Sequence, residues 1–210
     1  GTMNVIDCAL DCAVDKALLI STDKAVSPLN LYGSTKMVAE RLWTQANAYV
    51  GNGPTVFVST RYGNVAGSRG TIVELFKQLR NEGKSIPITN LNATRFWIPL
   101  PKANQFILDV LNMNWQGGEI YVPKISSVHI SDIAKAIAPD NGTTIIGERP
   151  GDKLHEVLIS EEEIKRTVCK KDYFIINPEI YTWAFDTLGY KGLHKEYDSL
   201  NNDFLTLEAI

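Results

Sequence analysis

A short apolar run, Ala17-Leu18-Leu19-Ile20, ends in the polar residues Ser21 to Lys24, and a helix-period pattern begins soon after it. From Tyr32 onward Met37, Val38, Leu42, Trp43 and Ala46 recur at three- and four-residue spacing. Gly51-Asn52-Gly53-Pro54 then marks a turn, and Thr55 to Tyr62 is a second strand-like run. Short apolar strands joined by an amphipathic helix predict an α/β chain whose parallel sheet is covered on both faces. In such sheets the C-terminal ends of the strands open onto the ligand crevice, which puts Thr22, Asp23 and Lys24 at its mouth.

Tyr32 and Lys36 are four residues apart and so project from one side of the helix. A tyrosine hydroxyl is almost fully protonated at neutral pH, whereas an ammonium one turn away favours the phenolate and makes it a usable base. The spacing alone also occurs by chance on many helices. Its weight comes from Ser21-Thr22-Asp23-Lys24 just upstream, which adds a hydroxyl, a carboxylate and an amine to the same short stretch.

The motifs STDKAVSPLNLYGSTK, RYGNVAGSRG, ATRFW and GERPGDKLHEVLIS, in this order and spanning nearly the whole chain, resemble the extended short-chain dehydrogenase/reductase superfamily. Within it they look like the soluble, inverting UDP-N-acetylglucosamine 4,6-dehydratases of polysaccharide biosynthesis. The resemblance implies the C-terminal part of a doubly wound, Rossmann-like sheet with a smaller α/β substrate-binding subdomain. It also implies an NADP (or NAD) cofactor and a UDP-sugar substrate. Thr22, Asp23, Lys24, Tyr32 and Lys36 would be catalytic, with Tyr32 and Lys36 also holding the cofactor. Asn64, Arg69, Arg95, Arg149 and Glu156 would face the sugar nucleotide. Related dehydratases that carry glutamate where this chain has Lys24 retain the C5 configuration, and the membrane-anchored relatives carry methionine in place of Tyr32, so both residues point to the soluble inverting branch. A UDP-sugar 4-epimerase and a non-catalytic UDP-sugar-binding fragment are the competing readings.

Composition narrows the classes further. A net charge of −3 leaves no basic footprint for nucleic acid, and no apolar run is long enough to span a membrane. The three cysteines and three histidines are scattered without metal-ligand or disulfide spacing, which suits a reduced cytoplasmic protein with no metal. The complete enzyme is expected to be a homo-oligomer.

Gly1 to Ile6 is either an expression scar or the lead-in to a helix that the superfamily carries in mid-domain. On the second reading the glycine-rich phosphate fingerprint of a dinucleotide domain is not in this chain. Residues 1–85 are then the remaining part of the cofactor domain, joined by a strand at 119–124, and 86–210 are mainly the substrate subdomain. Gly63 to Gly70 imitates a nucleotide loop, but its spacing fits the fingerprint poorly; it reads as a substrate loop or as a turn whose glycines serve positive φ. Helices are predicted at 71–80, at 102–113 behind Pro101, and at 131–137 with Ser131 as cap. Thr143 to Ile146 reads as a fourth apolar strand, and Tyr173, Phe174, Trp183 and Tyr197 as packing of the tail on the substrate subdomain. Arg149 has the fork that a diphosphate needs, although the same charges would also suit a solvated turn.

Overall fold

The computed structural model describes residues 1–68, 70–179 and 192–210. In chain order its elements are α1 (Thr2–Asp11), β1 (Lys16–Thr22), α2 (Leu31–Gln45), β2 (Val56–Tyr62), β3 (Asn64–Ala66), α3 (Ile72–Asn81), β4 (Ile86–Ile88), β5 (Thr94–Pro99), α4 (Leu100–Leu111), β6 (Ile120–Pro123), β7 (Ser127–His129), α5 (Ile130–Ile137), β8 (Thr143–Ile145), β9 (Val157–Ile159), α6 (Glu161–Ile164), β10 (Thr167–Cys169), β11 (Tyr173–Ile176) and β12 (Tyr197–Asp198). They form two compact units. The first comprises 1–62, 105–124 and 157–196, and the second 63–104, 125–156 and 197–210. The stretch 63–85 falls in the second unit, and 157–179 in the first. No helix among the described residues is long and apolar enough to cross a membrane.

The first unit is built on one five-stranded sheet in the order β1-β2-β6-β11-β10. β1 pairs with β2 in parallel register from Lys16↔Val56 to Thr22↔Tyr62, and β2 pairs with β6 in parallel. Alternation along the strands sends Ala17, Leu19 and Phe57 to one face, where Ile6 of α1, Trp43 of α2 and Ala46 just after it cover them. Leu18, Val56 and Val58 go to the other face, against Phe106, Val110 and Trp115. Coverage on both faces explains why β1 and β2 read as continuous apolar runs rather than alternating ones.

Tyr173 and Phe174 belong to the sheet of the first unit and not to a tail. They lie in β11, antiparallel to both β6 and β10. The connection from β10 is a tight turn closed by Lys170 N–H donating to Tyr173 C=O at 2.9 Å, and so short a link permits only antiparallel pairing. Trp183 lies outside the described residues.

The second unit holds a three-stranded sheet, β3-β5-β7, and a two-stranded one, β4-β8. Phe76, Ile86, Ile88, Trp97, Val128 and Ile133 form its core. β8 is not a core strand, since all three of its residues are exposed and its one partner is β4. α5 starts at Ile130 behind His129, and Ser131 does not cap it: its hydroxyl reaches Leu91 C=O at 3.5 Å instead. α4 begins at Leu100, taking Pro101 into its first turn, where a missing N–H costs nothing.

Candidate active site

β1 runs on to Thr22, and the chain then makes one 3₁₀ turn over Asp23–Ala25. Thr22 sits at the head of that turn and closes it, because its Oγ1 accepts the Lys24 backbone N–H at 3.3 Å. The same hydroxyl donates to Asp23 Oδ1 at 2.7 Å, and Lys24 Nζ donates to that oxygen at 3.0 Å. Asp23 is completely buried, while the Lys24 side chain is 39% exposed. Asp23 Oδ2 accepts no hydrogen bond among the described residues. One carboxylate oxygen is thus saturated and the other open, an arrangement that structural needs alone would not favour, because an unsatisfied buried acceptor costs stability.

The helix that follows is seated directly on this turn. Asn30 caps α2 by accepting the Gly33 N–H at 2.9 Å. A Cβ on Gly33 would lie 2.7 Å from Lys24 C=O and 2.9 Å from the Pro28 side chain, so only glycine lets the first turn of α2 come this close. Tyr32 and Lys36 then leave the helix on one side, with Lys36 Nζ 5.5 Å from the centre of the Tyr32 ring. Tyr32 is 56% exposed.

One turn beyond Lys36 lies Glu40, a residue that no motif in the sequence marks. Its side chain is buried, and the Arg61 guanidinium grips both of its oxygens, Nε to Oε2 at 3.0 Å and Nη2 to Oε1 at 2.5 Å. The other side of the same guanidinium holds Glu163, Nη1 to Oε2 and Nη2 to Oε1, both at 2.9 Å, and Leu158 C=O at 2.8 Å. Burial by itself would lower the Arg61 pKa, but the charges of Glu40 and Glu163 outweigh it and raise it. Burial likewise pushes the Glu163 carboxyl up, and the Arg61 charge and hydrogen bonds overcome that and hold it at about 2. One signal was available: an arginine inside an apolar strand run must have buried acidic partners.

In the second unit, Arg95 and Glu156 come together, with Arg95 Nε 3.8 Å from Glu156 Oε1 and Lys153 Nζ 3.8 Å from Glu156 Oε2. Arg95 also donates from Nη1 to the carbonyls of Thr94 and Leu154, at 2.7 and 3.1 Å. Asn64 lies in β3 opposite Trp97, and its Oδ1 is buried with no hydrogen bond among the described residues. Arg149 is exposed, and its side chain makes no ion pair or hydrogen bond among the described residues. Arg69 lies outside the described residues. The glycines around these positions are structural: Gly67 and Gly70 adopt φ of +73° and +72°, and Gly63 permits close approach to Phe96.

The family described as "Polysaccharide biosynthesis protein" matches residues 1–178. The chain belongs to this family. A UDP-N-acetylglucosamine 4,6-dehydratase (inverting) of Campylobacter jejuni is 44% identical over 199 residues, which is 91% of this chain and 59% of that protein. A UDP-glucose 4-epimerase of Rickettsia rickettsii is 33% identical over 219 residues, covering 100% of this chain and 64% of its own. The chain therefore spans less than two thirds of the length of the curated relatives it matches. Among solved structures, Pen from Bacillus thuringiensis superposes with a TM-score of 0.88 at 31% identity, over 99% of this chain and 63% of that one. The dTDP-glucose 4,6-dehydratase of Bacillus anthracis in complex with NAD gives 0.61 at 16% identity over 71% of this chain and 55% of that one, a likeness of fold.

Proposed function

We propose that the protein carrying this chain is a nucleotide-sugar 4,6-dehydratase that converts UDP-N-acetylglucosamine to its C5-inverted 4-keto-6-deoxy product. The observation that carries the reading is the contact of Lys24 Nζ with the buried Asp23 carboxylate, 3.0 Å away, on the turn against which the Tyr32 helix is seated. Tyr32 takes the proton from the sugar 4-hydroxyl, and Thr22 hydrogen-bonds the same oxygen. The C4 ketone so formed acidifies the C5–H bond. A proton moving from Lys24 to Asp23 along their hydrogen bond leaves a neutral amine and a carboxylic acid. Lys24 then abstracts the C5 proton, and Asp23 protonates the departing 6-hydroxyl so that it leaves as water. Reprotonation of C5 from the opposite face gives the inverted sugar.

The donor set suits a nicotinamide cofactor: Tyr32 and Lys36 present a hydroxyl and an ammonium on one helix side, the groups that ribose hydroxyls require. Such a cofactor, when bound, supplies the hydride acceptor for C4 and the donor for C6. NADP is the form we propose. The diphosphate and sugar would be met by Asn64, Arg69, Arg95, Arg149 and Glu156. We further infer that the first unit is the cofactor-binding one and the second the substrate-binding one, in a cytoplasmic homo-oligomer.

Epimerisation is the second reading, favoured by the Rickettsia relative. Thr22, Tyr32 and Lys36 would suffice for it, leaving Asp23 and Lys24 without a task. Mass spectrometry of UDP-N-acetylglucosamine incubated with the full-length gene product separates the two. Loss of one water supports the dehydratase, and an isomer of unchanged mass supports the epimerase.

A further inference from the structure

The geometry points to Glu40 and Arg61 as positioning residues for Tyr32, a lock that sets the rotation of α2 and through it the place of the hydroxyl. The inference rests on the proposal that Tyr32 is the base. α2 is fixed at its start, where Gly33 meets Lys24 C=O and Pro28. That contact holds the first turn, and at the far end Trp43 Nε1 donates to Ala17 C=O at 3.3 Å and Val58 C=O at 3.0 Å; between these two holds Glu40 is the charged one. Glu40 lies eight residues beyond Tyr32, about 12 Å along the axis and about 80° round it. Both of its oxygens are held by the planar fork of Arg61, a bidentate pairing that fixes orientation as well as distance.

Arg61 is itself immobile. It is 2% exposed, its other edge is bound by Glu163 and Leu158 C=O, and its backbone stands in register with Ser21, the residue before Thr22. The guanidinium therefore refers the helix that carries Tyr32 and Lys36 to β1, whose last residue is Thr22 and which leads into the turn of Asp23 and Lys24. A turn of α2 by about 20° would move a side-chain tip about 6 Å from the axis by about 2 Å. Misplacements of that size cost about a hundredfold in rate where two groups must meet one oxygen.

The test uses the full-length protein and Glu40→Gln, which keeps the side-chain shape, releases one arm of the fork and leaves Arg61 paired with Glu163. In a single turnover, nicotinamide reduction by UDP-N-acetylglucosamine should slow at least tenfold while UDP affinity stays within twofold. Hydrogen exchange read by mass spectrometry should speed up in peptides from α2 and stay unchanged in β2. Combined with Tyr32→Phe, Glu40→Gln should cost less than a further twofold, because a residue acting through Tyr32 has nothing left to position. Glu163→Gln is the control: it loosens the same cluster and lowers the melting temperature, yet leaves the Glu40 fork in place and the rate within threefold. Should Glu40→Gln fail to fold, Glu40→Asp, with the charge on a shorter arm, carries the same comparison. A parental rate in the Glu40 variant, or a full additive loss on top of Tyr32→Phe, overturns the positioning role and leaves the functional reading standing. If Tyr32→Phe itself keeps the parental rate, the assignment of the base fails and the lock falls with it.

Discussion

The α-carbon of Gly33 comes so close to the carbonyl of Lys24 that an added Cβ would lie 2.7 Å from that oxygen. The backbone of the Asp23–Lys24 turn and the helix that carries Tyr32 and Lys36 are thus in direct contact, and glycine is the condition for it. Gly33→Ala should push the first turn of α2 outward. The expected loss is about 1–3 kcal/mol of stability, the usual cost of forcing extra volume into a packed site, read from urea unfolding. Slower nicotinamide reduction should accompany it, and unchanged stability would show that the turn yields freely.

Tyr32 and Lys24 should divide the reaction between them. Lys24→Met should still reduce the bound nicotinamide when given substrate and then stall, incorporating almost no deuterium at C5 in heavy water. Tyr32→Phe should lose the reduction signal, by about 10²- to 10⁴-fold, the usual contribution of a general base. Exchange of C5 at the parental rate in Lys24→Met would transfer the base role to Asp23 or to a water held by it.

Arg149 is exposed and carries a fork that engages nothing among the described residues. If it meets the diphosphate, Arg149→Ala should weaken UDP-sugar binding by about 1.5–3 kcal/mol, the range for a hydrogen bond to a charged group. Calorimetry with UDP decides the matter, and unchanged affinity would return the 147–156 loop to a solvated turn.

Glu163 makes acid stability a readout of the buried cluster. Its pKa is held at about 2 in the fold, against an ordinary value of 4.5. The unfolded chain therefore binds this proton first as pH falls. The stabilisation is complete above about pH 4.5 and is lost as pH drops toward 2, amounting to about 3 kcal/mol. Glu163→Gln should flatten this part of the pH–stability curve in urea titrations between pH 5 and 2.5. An unchanged slope would mean that other carboxylates govern acid unfolding.

The strand–helix–strand opening was legible because apolar runs and helical periodicity are local properties, and the place of Thr22, Asp23 and Lys24 at the C-terminal end of β1 is part of that opening. Other features depend on partners distant in sequence. Nothing local marks Glu40 as buried, since a polar residue on a helix is exposed by default; only Arg61, out of place in its strand, hints at a partner. The antiparallel course of β11 is set by the short turn after β10, while Phe174 and Ile176 would look the same in a parallel strand. Thr143 to Ile145 are apolar enough for a core strand, but β8 gains a neighbour on one edge only, which no periodicity reports.

The open oxygen of Asp23 sets evolutionary pressures against each other at this position. A buried acceptor without a donor weakens the fold, so replacing it with a well-packed apolar side chain should make the protein harder to melt as it removes the proposed acid. A library of this chain selected for heat resistance alone would drift toward sequences that keep the architecture and abandon the reaction, and Asp23 would be among the first residues to go.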